Sequence, residues 1–389
     1  MGSADRIRNV GRLISGAGRN IVVLSAMSGT TNALLEISGA LADGDRNLAK
    51  QRISDLEEKY RDVTASLFDT EKYRNEASEL VGGIFSCLRG LADEEYSIKL
   101  EKRIVSYGEL ISTNLMNFHL HEIGVDSCLL PALEFMKTDR HGEPDMEYAA
   151  KKLALLMGPE PDADLYITQG FICRNEDGEI DNLQRGGSDY TASLIGAAIN
   201  AEEIEIWTDI DGMHNNDPRF VEDTRPVHNL HFEEAAELAY FGAKILHPTC
   251  ILPARERNIP VRLLNTLDPS AEGTLIENKM CGNAIKAVAA KDNITAIKIK
   301  SGRMLLAYGF LKKVFEIFEK YETAIDMITT TEVGVSLTID NERNLAPIVE
   351  ELQSLGTVTI DRDMVIVCVV GDLEWNNRGF EAKALEALC

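Results

Sequence analysis

Four short apolar segments, each followed by a turn of small or polar residues, constrain the fold of this chain most. They are NIVVLSAMSG (20–29), ADLYITQGFI (163–172), IEIWTDIDG (204–212) and IPVRLLNT (259–266), and helical stretches separate them. Buried strands that alternate with helices are typical of a mostly parallel sheet with helices on both faces. We also predict that residues 45–121 are mainly helical. The first part of the chain is therefore predicted to be an α/β domain.

A different pattern begins after EGTLIENKM (272–280). The later segments predict the order β-α-β-β-α-β with short turns, and they are ITAIKIKS, GFLKKVFEIFEKYE, IDMITTTEVGVSLTID, NLAPIVEELQSLG, TVTID and MVIVCVVGDL. That order is typical of a ferredoxin-like α+β domain. We place the boundary near residue 278, so that residues 1–278 form the first domain and residues 279–389 the second region.

Composition excludes several classes of partner. The chain has 389 residues, of which 44% are hydrophobic, and this is enough for two or three domains with their own cores. A net charge of −23 repels phosphate backbones and anionic lipid, so neither nucleic acid nor a membrane surface is an expected partner. Seven scattered cysteines without a C-x-x-C pair indicate reduced thiols in a cytoplasm. The beginning MGSADRIRNVGRLI lacks the apolar region of a signal peptide, which predicts a cytoplasmic protein.

Residues just after the strands are the first candidates for function, because ligands of open α/β sheets bind beyond the carboxyl ends of the strands. Ser28 to Thr31 would place N–H donors and hydroxyls at a helix start, which suits an anion, although a simple capping turn uses the same residues. The run TDIDGMHNNDPR (208–219) would suit a metal or a nucleotide, but its D-G and D-P steps are also ordinary turn signals. It lacks the spacing of an EF-hand.

Three cations stand beside glycine, proline or aspartate turns in this acidic chain: Arg185, Arg219 and Lys244. Together they would form a local positive pocket, which phosphoryl transfer requires because its transition state spreads negative charge over several oxygens. Three surface salt bridges are the ordinary alternative. The segment QRGGSDYTA (184–192) has the same two interpretations, since Gly-Gly before Ser-Asp also occurs where a loop ends at a helix.

The ordered set GELIST, QRGGSDYTA, IWTDIDG, DPR, EAAELAYFGAKILHP, IPVRLLNT and GTLI resembles the aspartate kinases of the amino-acid kinase fold. The C-terminal pattern is similar to their paired ACT regulatory domains. This resemblance covers nearly the whole chain. It implies ATP-dependent phosphorylation of the side-chain carboxylate of L-aspartate to 4-phospho-L-aspartate, the first step of lysine, threonine and methionine biosynthesis. It also implies a homodimer formed through the ACT domains.

The resemblance implies roles for particular residues. For L-aspartate, Arg185 would hold a carboxylate, Glu109 the amino group and Thr31 the carboxylate that is phosphorylated, with Ser188 beside them. Asp189 would organise the phosphoryl-transfer centre. ATP would be held by Gly186, Gly187, Thr208, Asp209, His214, Arg219 and Lys244. Lys244 would contact the phosphates, which Mg²⁺ would bridge without a dedicated metal site on the protein. His214 stands where many relatives carry a tyrosine.

An effector site is implied at Met304, Asp326, Thr331 and Glu332, where acidic groups would receive the ammonium groups of L-lysine, with L-threonine as the other candidate effector. The ordinary alternative is that these are strand-end residues with solvated hydroxyls.

Two departures from the family pattern leave a second function open. The chain lacks the initial strand that ends in K-F/Y-G-G-T-S-V-G-S, and EWNNRGFEAKALEALC (374–389) stops within the helix of a second ACT domain. We therefore expect the isolated chain to be poorly soluble. A catalytically inactive, effector-binding regulatory subunit, or a gene fragment, is the alternative function. Glutamate or acetylglutamate kinase fits the ACT-like tail less well.

Overall fold

The computed structural model describes residues 1–16, 18–158, 163–183, 186–241, 246–279, 285–302, 304, 308–371 and 386. The chain forms two compact units. Unit 1 comprises Met1–Met213, Pro226–Ala236 and Lys244–Cys281, and unit 2 comprises His214–Arg225, Glu237–Ala243 and Gly282–Cys389. The predicted helix 374–389 lies outside the described residues except for residue 386. The predicted boundary at residue 278 stays a prediction.

The four predicted strands and the long helical region are confirmed in the first part of the chain. Its helices are α1 (Ala4–Ile14), α2 (Thr30–Ala42), α3 (Arg46–Leu67), α4 (Glu71–Leu91), α5 (Ile98–Glu122), α6 (Ala132–Phe135), α7 (Met146–Met157), α8 (Gly187–Ile199), α9 (Phe232–Phe241), α10 (Leu252–Arg257) and a 3-10 helix, Pro248–Ile251. Its strands are β1 (Asn20–Leu24), β2 (Cys128–Leu130), β3 (Leu165–Gln169), β4 (Ile172–Arg174), β5 (Ile180–Asn182), β6 (Ile204–Thr208), β7 (Asn229–His231), β8 (Val261–Asn265) and β9 (Thr274–Glu277).

These strands form two larger sheets and one hairpin. The first sheet has the order β1-β3-β2 and is entirely parallel, with Asn20 opposite Leu165 and Cys128 opposite Tyr166. The second has the order β6-β8-β9-β7, in which only the β8–β9 pair is antiparallel. Strands β4 and β5 form the separate antiparallel hairpin. The α/β class is thus confirmed.

Helices α2 to α5 pack around one hydrophobic cluster of unit 1. Fully buried Tyr60 and Phe85 meet in it at a ring distance of 5.8 Å. Side-chain caps begin two of the helices, since Asp45 accepts a hydrogen bond from the Leu48 N–H and Ser97 accepts one from the Leu100 N–H. The charged beginning of the chain forms α1, which sequence reasoning had not predicted, and its Ile7 is buried in the same cluster.

Unit 2 confirms the ferredoxin-like prediction. Its elements are β10 (Ile285–Lys300), α11 (Phe310–Lys320), β11 (Met327–Thr331), β12 (Gly334–Ile339), α12 (Leu345–Gln353) and β13 (Thr357–Gly371). They form one antiparallel sheet in the order β11-β12-β10-β13. The predicted segments TVTID and MVIVCVVGDL form one long strand, β13, because β10 also extends further than predicted and pairs with it from Ile285 to Lys300, with irregularities in the register on the way.

No helix in the described part of the chain is both long and apolar enough to cross a membrane.

Helix α8, which carries predicted site residues at its beginning, lies close to β6 because Gly196 has no side chain. A Cβ at Gly196 would lie 2.5 Å from Ile204 Cγ1, far inside contact distance. Alanine in a helix interior normally stabilises a protein relative to glycine. At this position the steric contact should reverse that sign.

We therefore expect Gly196→Ala to lower the free energy of unfolding by about 1–3 kcal/mol. The matched control is Gly83→Ala in the interior of α4, where a Cβ would meet nothing within 4 Å. That variant should gain about 0.5–1 kcal/mol. Urea unfolding of both variants measures the difference, and a gain in both would contradict the close packing of α8 on β6.

Candidate active site

Glu109 is a buried carboxylate at the carboxyl end of β1. It lies on α5, is only 3% exposed, and its Oε1 accepts a hydrogen bond of 3.1 Å from the Ala26 N–H. Its Oε2 is buried and has no hydrogen-bond partner among the described residues. Burial raises the pKa of Glu109 to about 7. An oxygen of this kind suits a ligand that brings a positive charge and N–H donors.

Gly108 allows α5 to approach the turn after β1. A Cβ at this position would lie 2.9 Å from the Ala26 Cβ and 3.4 Å from Thr30 Cγ2. One helical turn after Gly108, the Ser112 hydroxyl donates a hydrogen bond of 2.8 Å to the Ser25 carbonyl. Two hydrogen bonds and one close contact therefore fix Glu109 against this turn.

The same turn reaches the beginning of α8. The Ser25 hydroxyl donates to the Ser188 hydroxyl, with 2.8 Å between the two oxygens. Helix α8 is that close to the carboxyl end of β3 because Gly170 has no side chain, since a Cβ there would lie 2.3 Å from Ser188 Oγ. The structure thus brings two predicted substrate residues, Glu109 and Ser188, to one turn of the chain.

The Gly186–Gly187 turn has one packed side and one open side. Both glycines have positive φ, 76° at Gly186 and 51° at Gly187, a conformation that other residues rarely adopt. A Cβ at Gly186 would lie 2.1 Å from the Cys250 sulfur, whereas a Cβ at Gly187 would meet nothing within 4 Å. Burial, together with the nearby charge of Asp189, raises the pKa of Cys250 to about 12, so it packs as a neutral thiol. The turn can therefore present its backbone to a ligand on its open side.

Asp189 lies in the first turn of α8, where a helix places partial positive charge. Burial nevertheless raises the pKa of Asp189 to about 6. A cation beside this carboxylate would stabilise its ionised form.

Thr31 lies at the start of α2, where Gly29 has a φ of 79° and precedes the first helical residue. The neighbouring Thr30 is fully buried, and its hydroxyl lies 2.9 Å from the hydroxyl of Tyr60. Thr31 is only partly buried. The Lys59 ammonium donates a hydrogen bond of 2.9 Å to the Ser28 carbonyl in the same turn.

The structure does not bring the predicted nucleotide residues together in one unit. Thr208 ends β6 in unit 1, and its hydroxyl accepts a hydrogen bond from the Ile210 N–H at 3.1 Å, while Asp209 beside it is exposed. His214 and Arg219 belong to unit 2. The exposed Arg219 guanidinium binds both oxygens of Asp217. This contact is a surface salt bridge, which was the ordinary alternative to a phosphate-binding role for Arg219. Arg185 and Lys244 lie outside the described residues, so the nucleotide assignments stay predictions.

The four predicted effector residues lie in unit 2. Met304 packs against its hydrophobic core, and Asp326 directly precedes β11 with a side chain that is 2% exposed. Thr331 ends β11 and Glu332 follows it, and both are exposed.

Sequence reasoning missed the supporting residues Ser25, Ser112, Gly170 and Cys250. Ser112 lies three residues after Glu109 on α5, and this helical spacing was a usable signal. Gly170 directly follows the apolar strand residues, and a glycine at the end of a strand often marks a place where another part of the backbone comes close. The contact between Gly186 and Cys250 joins residues 64 positions apart, and no local pattern predicts it.

Comparison with known proteins identifies the family of this chain. The model of the amino acid kinase family matches residues 1–265. The lysine-sensitive aspartokinase 3 of Escherichia coli K12 is 35% identical over 380 residues, which are 94% of this chain and 83% of that protein.

Two solved structures of E. coli aspartokinase III are also similar to this chain, both at 33% identity. The complex with aspartate and ADP, in the R-state, has a TM-score of 0.84 and is matched over 100% of this chain and 89% of that one. The complex with lysine and aspartate, in the T-state, has a TM-score of 0.74, and the match covers 98% of this chain and 87% of that one.

The fold and the family match place this chain in the amino acid kinase family. Within that family it belongs to the aspartokinases, as the identity over nearly the whole chain shows. The family resemblance found in the sequence is thereby confirmed.

The raised pKa of Glu109 has a measurable effect on stability. The ordinary value is 4.5 and the folded value is about 7, so the free energy of unfolding should fall as the pH rises between them. Glu109→Gln keeps an oxygen for the Ala26 N–H and removes the charge. Above pH 7 this variant should exceed the parent in stability by up to about 3 kcal/mol, and the two should converge below about pH 5.

Urea unfolding across this pH range measures the effect, with Glu101→Gln on the same helix as the control. A difference between Glu109→Gln and the parent that does not change with pH would contradict a buried, proton-binding Glu109.

Proposed function

We propose that this chain transfers the γ-phosphoryl group of ATP to the side-chain carboxylate of L-aspartate, giving ADP and 4-phospho-L-aspartate for amino-acid biosynthesis. The observation that carries this proposal is the unpartnered, buried Oε2 of Glu109 at the turn shared with Ser25 and Ser188. The similar E. coli enzyme has been solved with aspartate and ADP, which supports the same substrates here.

In this proposal Glu109 receives the α-ammonium group of the substrate. The ammonium would stabilise the ionised carboxylate, so Glu109 loses its proton when L-aspartate binds near or below neutral pH. Arg185 would hold a substrate carboxylate through its two-pronged guanidinium. Thr31 and Ser188 would orient the carboxylate that is phosphorylated. Binding and orientation of both substrates supply most of the rate in such a reaction.

The phosphoryl group would be transferred beside the beginning of α8. Backbone N–H groups at Gly186 and Gly187, the α8 amino end and Lys244 would stabilise the charge on the phosphate oxygens. When bound, Mg²⁺ carried by ATP would neutralise part of the phosphate charge. Asp189 has the carboxylate oxygens that Mg²⁺ prefers and a pKa that burial raises, so it fits the role of organising this centre. Among the described residues there is no group of three or more His, Cys, Asp or Glu side chains arranged to hold a metal ion.

We further propose that L-lysine regulates the enzyme at Met304, Asp326, Thr331 and Glu332, because the similar E. coli aspartokinase III has been solved with lysine. A homodimer through unit 2 is proposed as well. Strand β11 is at the edge of its sheet and every residue of it is exposed, including Met327 and Ile328, so it suits pairing with a second copy. The reducing cytoplasm is the proposed compartment, since the five described cysteines are free thiols.

A coupled assay for ADP tests the proposed reaction, together with hydroxylamine, which traps an acyl phosphate as a hydroxamate that forms a coloured complex with ferric iron. Glu109→Gln should raise KM for L-aspartate about tenfold to a hundredfold, because a charge-assisted bond is lost, and leave KM for ATP within about twofold. Arg185→Lys should act in the same direction because the guanidinium fork is lost. Glu101→Gln on the same helix is the control. Absence of aspartate-dependent hydroxamate in the parent, or equal losses for both substrates, would contradict the proposal.

The effector proposal is tested with a pair of variants that each remove one carboxylate contact of Lys291, Asp326→Asn and Asp340→Asn. L-lysine should inhibit the parent and the Asp340→Asn variant and raise their melting temperatures. It should do neither in Asp326→Asn, because the carboxylate that pairs with the effector ammonium is lost. If L-threonine has these effects and L-lysine has none, the proposed effector is wrong but the proposed site stands. If neither amino acid has an effect, the proposed effector site is wrong.

A further inference from the structure

Helix α3 contacts the turn between β1 and α2 through two consecutive residues, Lys59 and Tyr60, all within unit 1. The Lys59 ammonium donates a hydrogen bond of 2.9 Å to the Ser28 carbonyl. The Tyr60 hydroxyl lies 2.9 Å from the Thr30 hydroxyl, and both of these side chains are fully buried. Lys59 and Ser28 are exposed. The buried pair therefore fixes α3 against the turn, and Lys59 lies on the exposed side of the turn.

Lys59 has the capacity to act on a further partner. Its ammonium has three N–H donors, of which one binds the Ser28 carbonyl. Lys50 on the same helix pairs with Asp93 at 2.7 Å, whereas Lys59 has no ion pair within the described part of the chain. Its nitrogen would also lie 3.6 Å from a Cβ at Gly29, so the charge stands directly beside the turn.

The beginning of α2 has two open N–H groups. Those of Thr31 and Asn32 donate to none of the described residues, although their neighbours on either side donate to carbonyls of the turn. In a continuous α-helix the Asn32 N–H would donate to the Ser28 carbonyl, four residues earlier. That carbonyl is the one that Lys59 binds. Lys59 therefore keeps the carbonyl occupied while the two N–H groups stay available.

The same turn also contacts a buried side chain that calls for a ligand. Glu109 binds the Ala26 N–H through Oε1, and its buried Oε2 has no hydrogen-bond partner among the described residues. A positively charged ligand group suits Glu109, and a negatively charged one suits the open N–H groups beside Lys59. A zwitterionic ligand with a second carboxylate has both.

We propose that Lys59 is a positioning residue that makes the site prefer a side-chain carboxylate over the corresponding amide. This inference rests on the proposed function, in which Thr31 orients the carboxylate that is phosphorylated. Lys59 acts through the Ser28 carbonyl, which it keeps from the α2 donors, and through its charge at the turn. A carboxylate accepts from both N–H groups and is attracted by the ammonium. An amide has one acceptor oxygen and no net charge, so it gains less from the same site.

The test compares the dissociation constants of L-aspartate and L-asparagine in the parent and in Lys59→Met, by calorimetry on the full chain. Lys59→Met should weaken L-aspartate binding about fivefold or more and L-asparagine binding less than about twofold, because only the carboxylate loses an attraction between charges. In the hydroxamate assay KM for L-aspartate should rise in parallel, with KM for ATP within about twofold of the parent. Lys59→Arg, which keeps a cationic donor, should stay within about threefold of the parent. Lys50→Met, which removes an exposed ion pair on the same helix, should match the parent.

An L-aspartate dissociation constant of Lys59→Met within about twofold of the parent would overturn the inference. Equal losses for L-aspartate and L-asparagine would also overturn it, because a general disturbance of the turn weakens both ligands alike. The proposed function fails separately, if the parent makes no hydroxamate. Calorimetry then still decides whether Lys59 sets the preference for the carboxylate, and a parent that binds no L-aspartate contradicts both proposals.

Discussion

The approach of α5 to the turn after β1 is the contact on which the candidate site depends. It requires glycine at position 108, because any side chain there would collide with Ala26. With the helix at this distance, the Glu109 carboxylate reaches the Ala26 N–H and is shut off from water. The Ser25 hydroxyl, one residue before Ala26, then meets Ser188 at the beginning of α8. One helix contact thus links the two halves of the proposed aspartate site.

A buried carboxylate with an unused oxygen is unfavourable for folding, since desolvation is only partly offset by one backbone hydrogen bond. Asp326 in unit 2 is also a buried carboxylate with an unused oxygen. Its other oxygen, however, accepts hydrogen bonds from Lys291 and Tyr240 of the same chain. The two carboxylates therefore differ in whether a cation of this chain already lies beside them. Glu109 has no cation among its described hydrogen-bond partners, whereas Asp326 already holds one. A ligand at Glu109 adds a missing charge, and a ligand at Asp326 disturbs an existing balance.

Sequence patterns predicted the elements of this fold better than their contacts. The apolar strands and the β-α-β-β-α-β order were visible because periodicity and turn residues are local signals. The division of the first domain into two sheets was not predicted, since strand pairing depends on residues far apart in the chain. The site shows the same limit. Glu109 and Ser188 came from a family resemblance, while Gly170 and Cys250 support the site through contacts that only the folded chain reveals. In the sequence Tyr240 is an ordinary aromatic residue of a helix, and its hydrogen bond to Asp326 is visible only in the folded chain.

If Glu109 gives up a proton to receive the ammonium group of L-aspartate, binding of the substrate releases a proton that can be counted. Calorimetric titration near pH 6 in buffers of different ionisation enthalpy counts the protons released. We expect close to one proton per L-aspartate at this pH and almost none near pH 8.5, because the pKa of free Glu109 is about 7. Succinate, which lacks the amine, should release no proton from Glu109. Binding of L-aspartate without proton release near pH 6, or equal release with succinate or in Glu109→Gln, would show that Glu109 does not receive the ammonium group.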